Sequence, residues 1–245
     1  MPESVFLITG TYILNDDIFR KYTDDGGHVG SNDGQREAAY MIAEQQACDY
    51  LKTSLGSATV TGTFPWPHNA RNRVMLPYTY IQAAHAVSGL FDPSTNCEES
   101  EYSACARLIQ PDHGILDLNS CGDVLRRSCS CSGYGGHGGQ GVGGYPFIKF
   151  RIAYTMGLPD HAASHPSLRM GLVTAAKLAL EQIIDPGGAE GGPGDPGVKS
   201  FSDTGYSETR DGLKMTSFGM SPLANYAARM LEPFKIKRAL SLRLR

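Results

Sequence analysis

The spacing of apolar residues gives the chain helical ends and a strand-like middle. Over residues 35–55, Tyr40, Ala43, Ala47, Tyr50, Leu51 and Leu55 recur at helical spacing. Asn32 followed by Gln35 is the pattern of a capping box, and Gly56 is placed to end this helix in a left-handed cap. A second helix is expected over residues 166–184. Pro166 sits in its first turn, where a missing N–H costs nothing, and Leu168, Leu172, Ala175, Ala176, Ala179, Leu180 and Ile183 form a broad apolar face. The "DPGG" at 185–188 stops it. A third helix begins at Ser221-Pro222, with Leu223, Tyr226, Ala227, Met230 and Leu231 expected inward, and Pro233 ends or kinks it. A short helix capped by Asn15 is expected over Asp16–Tyr22.

Between the first two long helices the period changes. "FPWP" at 64–67 is stiff and extended, because each proline restricts itself and the residue before it. In "RVMLPYTYIQAAHAV", alternation of Ile81, Ala83, His85 and Val87 favours a strand for the core of the segment. "CARLIQPDHGILDL" reads as a hairpin, two apolar runs around a Pro-Asp-His-Gly turn. "YPFIKFRIAYTMG" is the clearest strand, with Phe147 or Ile148, Phe150, Ile152 and Tyr154 on alternate positions. The fold class is therefore α+β. An antiparallel core of three main helices carries an inserted β-rich region, a projecting β-hairpin and an extended C-terminal arm. As one domain overall, the chain divides into an N-terminal arm and first helix (1–60), the β-rich insert (61–165), and the second helix, arm, hairpin and closing helix (166–245).

Composition narrows the class. The chain has 245 residues, and its 41% hydrophobic content suits a soluble folded protein. No apolar run is long enough to span a bilayer, and "MPESVFLITG" lacks the basic start of a secretory signal, so the chain is expected to be cytosolic at the time it folds. The net charge of −3 is unevenly spread. The last eleven residues carry Lys235, Lys237, Arg238, Arg243 and Arg245 and no acid, so the remainder is −8, from 17 basic and 25 acidic residues. A basic tail on an acidic body points to docking on an acidic partner or nucleic acid, beside the plainer reading of a solvated terminus.

Candidate chemistry is thin. Cys121, Cys129, Cys131 and His137 supply zinc-type ligands, but their spacing matches no finger, and incidental cysteines are the preferred reading. His161 and His165 are four apart, as in a metalloprotease helix. Pro166 disfavours helix at His165 and no glutamate lies between them, so they read as loop histidines near a helix start. Two segments are glycine-dense: eight glycines in the twelve residues 133–144 and six in the eleven residues 187–197. Neither has the context of a phosphate-binding loop, and both read as linkers. No catalytic residue, metal or cofactor is assigned.

Three stretches, taken in order, carry a family resemblance. "REAAYMIAEQQACDYLKTSLG" is similar to the opening helix of head-to-tail connector (adaptor) proteins of long-tailed double-stranded DNA bacteriophages, leading to an extended segment ending at Leu76-Pro77. "YPFIKFRIAYTMGLPD" with "HPSLRMGLVTAAKLALEQI" resembles that family's strand, "Y-T-x-G" turn and following helix. "GVKSFSDTGYSETR" and "LANYAARMLEPFKIKR" resemble its "V-K-S-x-S…G-Y-S" hairpin and closing helix. Together they cover about two thirds of the chain, and the Cys/Gly-rich insert at 97–144 and the Gly/Pro segment before the hairpin depart from the family's small members.

The resemblance implies a non-enzymatic neck protein of the virion. It implies a homo-oligomeric ring, dodecameric in the family, below the portal, which joins capsid to tail and extends the DNA channel. Partners would be the portal protein and a downstream neck or tail protein, with genomic DNA passing nearby and no membrane. By position, Phe234, Lys235, Lys237, Arg238, Leu240, Leu242, Arg243, Leu244 and Arg245 would face the portal. Lys199, Ser200, Ser202, Tyr206, Ser207 and Glu208 would lie on the neighbour-contacting hairpin, with Asp203-Thr204-Gly205 as its turn. The alternation of Leu240, Leu242 and Leu244 with polar or basic residues suits an extended strip laid on a partner. An acidic body suits a DNA passage that must not hold phosphate. A stopper ring, a tail terminator and a zinc-stabilised enzyme or binding module are the alternatives.

Overall fold

Helices and antiparallel strands form two separate packing units. A computed structural model describes residues 7–23, 31–65, 73–91, 100–103, 106–118, 147–184, 200–203, 206–209, 218 and 221–237. One unit draws on Leu7–Gly56 and Leu158–Lys235, and the other on Ser57–Gly157. The architecture is α+β with antiparallel sheets, as the change of hydrophobic period requires.

In the helical unit, α1 (Asp16–Tyr22) starts where the Asn15 side chain accepts the Ile18 N–H. Acids in its first turn and bases in its last complement the helix dipole. Its one buried residue, Phe19, packs on Tyr40 with ring centroids 5.4 Å apart. Helix α2 (Asp33–Leu51) opens with the expected capping box. Asn32 Oδ1 accepts the Gln35 N–H at 2.9 Å, and Gln35 Oε1 accepts the Asn32 N–H at 3.0 Å.

The end of α2 corrects the expectation. The left-handed residue is Lys52, at φ 57°, not Gly56. The early stop lets Thr53, Ser54 and Leu55 turn into the core, where all three are buried. Gly56 answers a different need: an added Cβ would stand 2.5 Å from the ring of Tyr12.

Helix α3 (Asp160–Ala163) is short, and its presence corrects the loop assignment of His161, while His165 lies outside a helix as expected. Helix α4 (Pro166–Ile184) and α5 (Pro222–Leu231) match their expected bounds. Ser221 Oγ accepts the Ala224 N–H at 3.0 Å, with Pro222 in the first turn. Pro233 ends α5 as a 3-10 turn, Glu232–Phe234. Helix α4 packs against both α2 and α5. Ala39 of α2 meets Ala179 and Leu180 near the end of α4, with Ile183 beside them. Gly171, near the start of α4, lies under Leu231 and Met230 at the end of α5. Both pairs therefore run antiparallel.

The inward face of α5 is the second correction. Ala224, Ala227, Ala228 and Leu231 are buried, whereas Leu223 and Tyr226 are 40% and 41% exposed. Close approach at Gly171 selects the alanine face, because small side chains allow the backbones to near one another. The bulkier strip is rotated towards solvent.

In the other unit, β1 (Ala58–Pro65), β7 (Phe147–Met156), β3 (Ile81–Phe91) and β4 (Ser100–Ser103) form an antiparallel sheet in the order β1-β7-β3-β4. A second sheet joins β2 (Arg73–Met75), β6 (Ile115–Asp117) and β5 (Arg107–Gln110) in the order β2-β6-β5. The expected Pro-Asp-His-Gly turn is a 3-10 turn, Pro111–His113, closed by Gly114 at φ 69°. Val60, Phe64, Phe150, Ile152, Tyr154 and Met156 fill a core shared with Leu76, Leu116 and Leu118. Strand β3 breaks the simple alternation. Register shifts after Ile81 and after Ala84 put Ile81 and Val87 inside but leave His85 exposed, where its Nε2 meets Thr155 Oγ1 at 2.5 Å.

Strands β8 (Ser200–Asp203) and β9 (Tyr206–Thr209) form the expected hairpin, pairing Ser200 with Thr209 through Asp203 with Tyr206. Its turn residues Thr204 and Gly205, the Cys/Gly-rich segment and the Gly/Pro segment lie outside the described residues. Among the described residues, no helix is long and apolar enough to cross a membrane.

Candidate docking site

The root of the basic tail is built by four separate parts of the helical unit. Tyr50 stands one residue before the end of α2, half-buried, on the side turned to the close of α5. Its hydroxyl donates to Glu232 Oε2 at 2.5 Å, across 182 residues of sequence. Burial first, then the Glu232 carboxylate, pushes the Tyr50 phenol well above its ordinary pKa. Phe218 packs on the same ring at 5.7 Å between centroids. On the ring face, Lys235 Nζ lies 3.9 Å from the centroid, within cation–π range.

The local sequence makes this arrangement. Pro233 cannot continue α5, so the chain tightens into the 3-10 turn, where the Lys235 N–H donates to the Glu232 carbonyl at 3.1 Å. That turn sends Glu232 and Lys235 to Tyr50, and Phe234 to His165, whose ring it meets edge-on at 5.3 Å. His165 is itself held at the start of α4, its Nδ1 accepting the Ser167 N–H at 3.2 Å. The chain leaves the helical unit after Lys235.

The residues assigned to docking from sequence thus fall into two groups. Phe234 and Lys235 make contacts inside the subunit, and Lys237 follows at the exposed end of the described chain. Arg238, Leu240, Leu242, Arg243, Leu244 and Arg245 lie outside the described residues. Of the hairpin positions, Ser200 and Ser202 are on β8 and Tyr206, Ser207 and Glu208 on β9, while Lys199 lies outside the described residues. Cys121, Cys129, Cys131 and His137 do too, and no group of metal-ligating side chains occurs among the described residues. Cys48 is buried in α2, and burial pushes its thiol up to about 12, which removes it as a nucleophile.

A second polar centre lies further back on α2. Glu44 is fully buried, and its carboxylate accepts the N–H groups of Tyr12 at 2.6 Å, Ile13 at 2.8 Å and Leu14 at 2.6 Å. Burial raises its pKa, opposed by these three donors. The arrangement ties the bent segment before α1 to α2. Neither centre has a local sign in the sequence, since the partners of Tyr50 and Glu44 are distant in the chain.

Comparison with solved structures decides what fold these helices and sheets make. A chain from the neck of an empty gene transfer agent particle, computed with C6 symmetry, superposes with a TM-score of 0.54 at 16% identity, over 99% of both chains. The chain shares the fold of that neck chain. A chain from the virion of the native gene transfer agent particle matches at a TM-score of 0.53 and 14% identity, over 98% of each. No family model and no curated protein sequence matches. The neck-component fold agrees with the connector resemblance carried by the three sequence stretches.

Proposed function

We propose that the chain is a structural neck protein of a tailed, phage-like virion. In this reading its copies form a ring, dodecameric as in the connector family, below the portal, joining head to tail and extending the DNA channel. The observation that carries the reading is the end-to-end likeness to a neck chain, which covers nearly the whole molecule. The role is mechanical rather than enzymatic, and the virion neck is its site of action. The sheet and hairpin serve neighbouring neck components, and the basic tail serves the portal. Phe234 and Lys235 root the tail in the helical unit, and Lys237, Arg238 and the leucine–arginine strip to Arg245 make the portal contact.

Two truncations and electron microscopy test this. A chain ending at Lys235 keeps the Tyr50 contact and should fold but fail to co-purify with portal protein. A chain ending at Leu231 also loses the root and should melt lower. Portal binding by the chain ending at Lys235, or particles whose neck lacks the full-length protein, would overturn the assignment.

A further inference from the structure

Two exposed helix faces of the same unit complement each other. On α5, Leu223, Tyr226 and Met230 follow at i, i+3 and i+7, a strip about 10 Å long at 1.5 Å per residue. Leu223 and Tyr226 are exposed and Met230 is half-buried. The charge beside them is Arg229, and α5 contains no acid. On α2, Ala38, Met41 and Ile42 make a second outward apolar strip, with Ile42 40% exposed. The exposed charges along α2 are acidic: Asp33, Glu37 and Asp49. Arg36, the one base on that helix, has a side chain only 11% exposed and is paired with Asp16 and Asp33.

We propose that the α5 strip of one copy docks on the outward α2 strip of the next copy. The occupant is a second copy of this chain because both faces are apolar and the charges beside them are opposite, Arg229 on α5 and acids on α2. Neither face suits itself: two α5 faces would bring Arg229 against Arg229, and two α2 faces would bring acids together, which costs binding. The contact is therefore heterologous, the kind that closes into a ring when its rotation is right. Glu37, one turn before Met41, borders the apolar strip and is the partner for Arg229. The proposal rests on the neck reading, and it names the surface by which copies join.

The test places a photoreactive benzophenone amino acid at Tyr226 in the full chain. Isotope-labelled and unlabelled copies are mixed, and cross-linked peptides are mapped by mass spectrometry, in concentrated protein and in particles. The expected product joins position 226 of one copy to the α2 peptide containing Met41 and Ile42 of another. In sedimentation, Glu37→Arg or Arg229→Asp alone should weaken self-association by about tenfold, and the double variant should recover most of it. Interchain cross-links to another peptide, or from 226 to the 226 region, overturn the proposed surface while the neck reading stands. Self-association unchanged in both charge variants does the same. Particles that omit the chain overturn the neck reading and the surface with it.

Discussion

Removing the Glu44 carboxylate tests whether one buried acid holds the segment before α1 in place. In Glu44→Ala, the N–H groups of Ile13 and Leu14 lose their acceptor while Ile13 and Leu14 remain 9% and 2% exposed. Each orphaned buried donor costs about 1–3 kcal/mol. Tyr12 is 44% exposed, so its N–H can turn to water and adds little. The two donors together set the expected loss at about 2–6 kcal/mol. In Glu44→Gln, the amide oxygen can still accept from Ile13 and Leu14, and only the Tyr12 donor faces another donor. Gln also escapes the cost of burying a charge, which is what raises the Glu44 pKa. Its loss should be about 1 kcal/mol.

The pH dependence has a definite sign. A carboxyl with a folded pKa above its unfolded value contributes stability that is complete at low pH and is lost as pH rises through the folded pKa. Wild type should therefore lose stability relative to Glu44→Gln as pH rises from the acid side of the normal carboxylate range towards neutrality. Urea unfolding followed by circular dichroism at several pH values measures both effects. Equal losses for Ala and Gln, or a wild-type advantage over Gln that grows with pH, would refute the account.

The remaining expectations concern the tail root and helix packing. Tyr50→Phe keeps the ring under Lys235 but removes the donor to Glu232, so unfolding should be easier by about 1 kcal/mol near neutral pH, at the low end for a bond to a charged group because the site is half-exposed. Since the Tyr50 pKa is raised, its contribution is present below the normal phenol pKa and is lost as pH rises through the folded value; the variant should show a shallower alkaline loss in urea unfolding. Gly171→Ala would place a Cβ 2.9 Å from Leu231 Cγ and 3.2 Å from Met230 Cβ, so overpacking of about 1–3 kcal/mol should outweigh a helix-propensity gain of about 1 kcal/mol and lower the melting temperature. Asn32→Ala removes one half of the capping box and should cost about 1 kcal/mol in the same assay.

Local rules in the sequence carried the elements whose determinants are close in the chain. Asn32 with Gln35, Ser221 with Pro222, and Pro166 marked helix starts because a cap needs only three or four residues. Alternation in the 147–156 strand was readable because both its neighbours, β1 and β3, bury the same face. Failures came where packing overrode local preference. Lys52 took the left-handed position because Thr53, Ser54 and Leu55 are pulled into the core. The phase of α5 departs from the apolar pattern because leucine and tyrosine carry more apolar surface than alanine, whereas close approach at Gly171 rewards the smaller side chains. The candidate docking site was half legible: the basic tail is a charge pattern, but its root joins Tyr50 to Glu232 across most of the chain.

That root changes how the proposed tail would act. A tail leaving a frayed helix end would add its own disorder to the entropy lost on binding. Here Pro233 forces the turn, Glu232 and Phe234 are held at opposite partners, and Lys235 sits over Tyr50, so the direction of departure is set before any partner arrives. Pre-setting the exit lowers the ordering cost of each tail. In the proposed ring the gain would repeat for every copy, since each tail docked on the proposed portal partner would raise the local concentration of the next. Weak individual contacts can then sum to a firm joint, with its root held inside the helical unit.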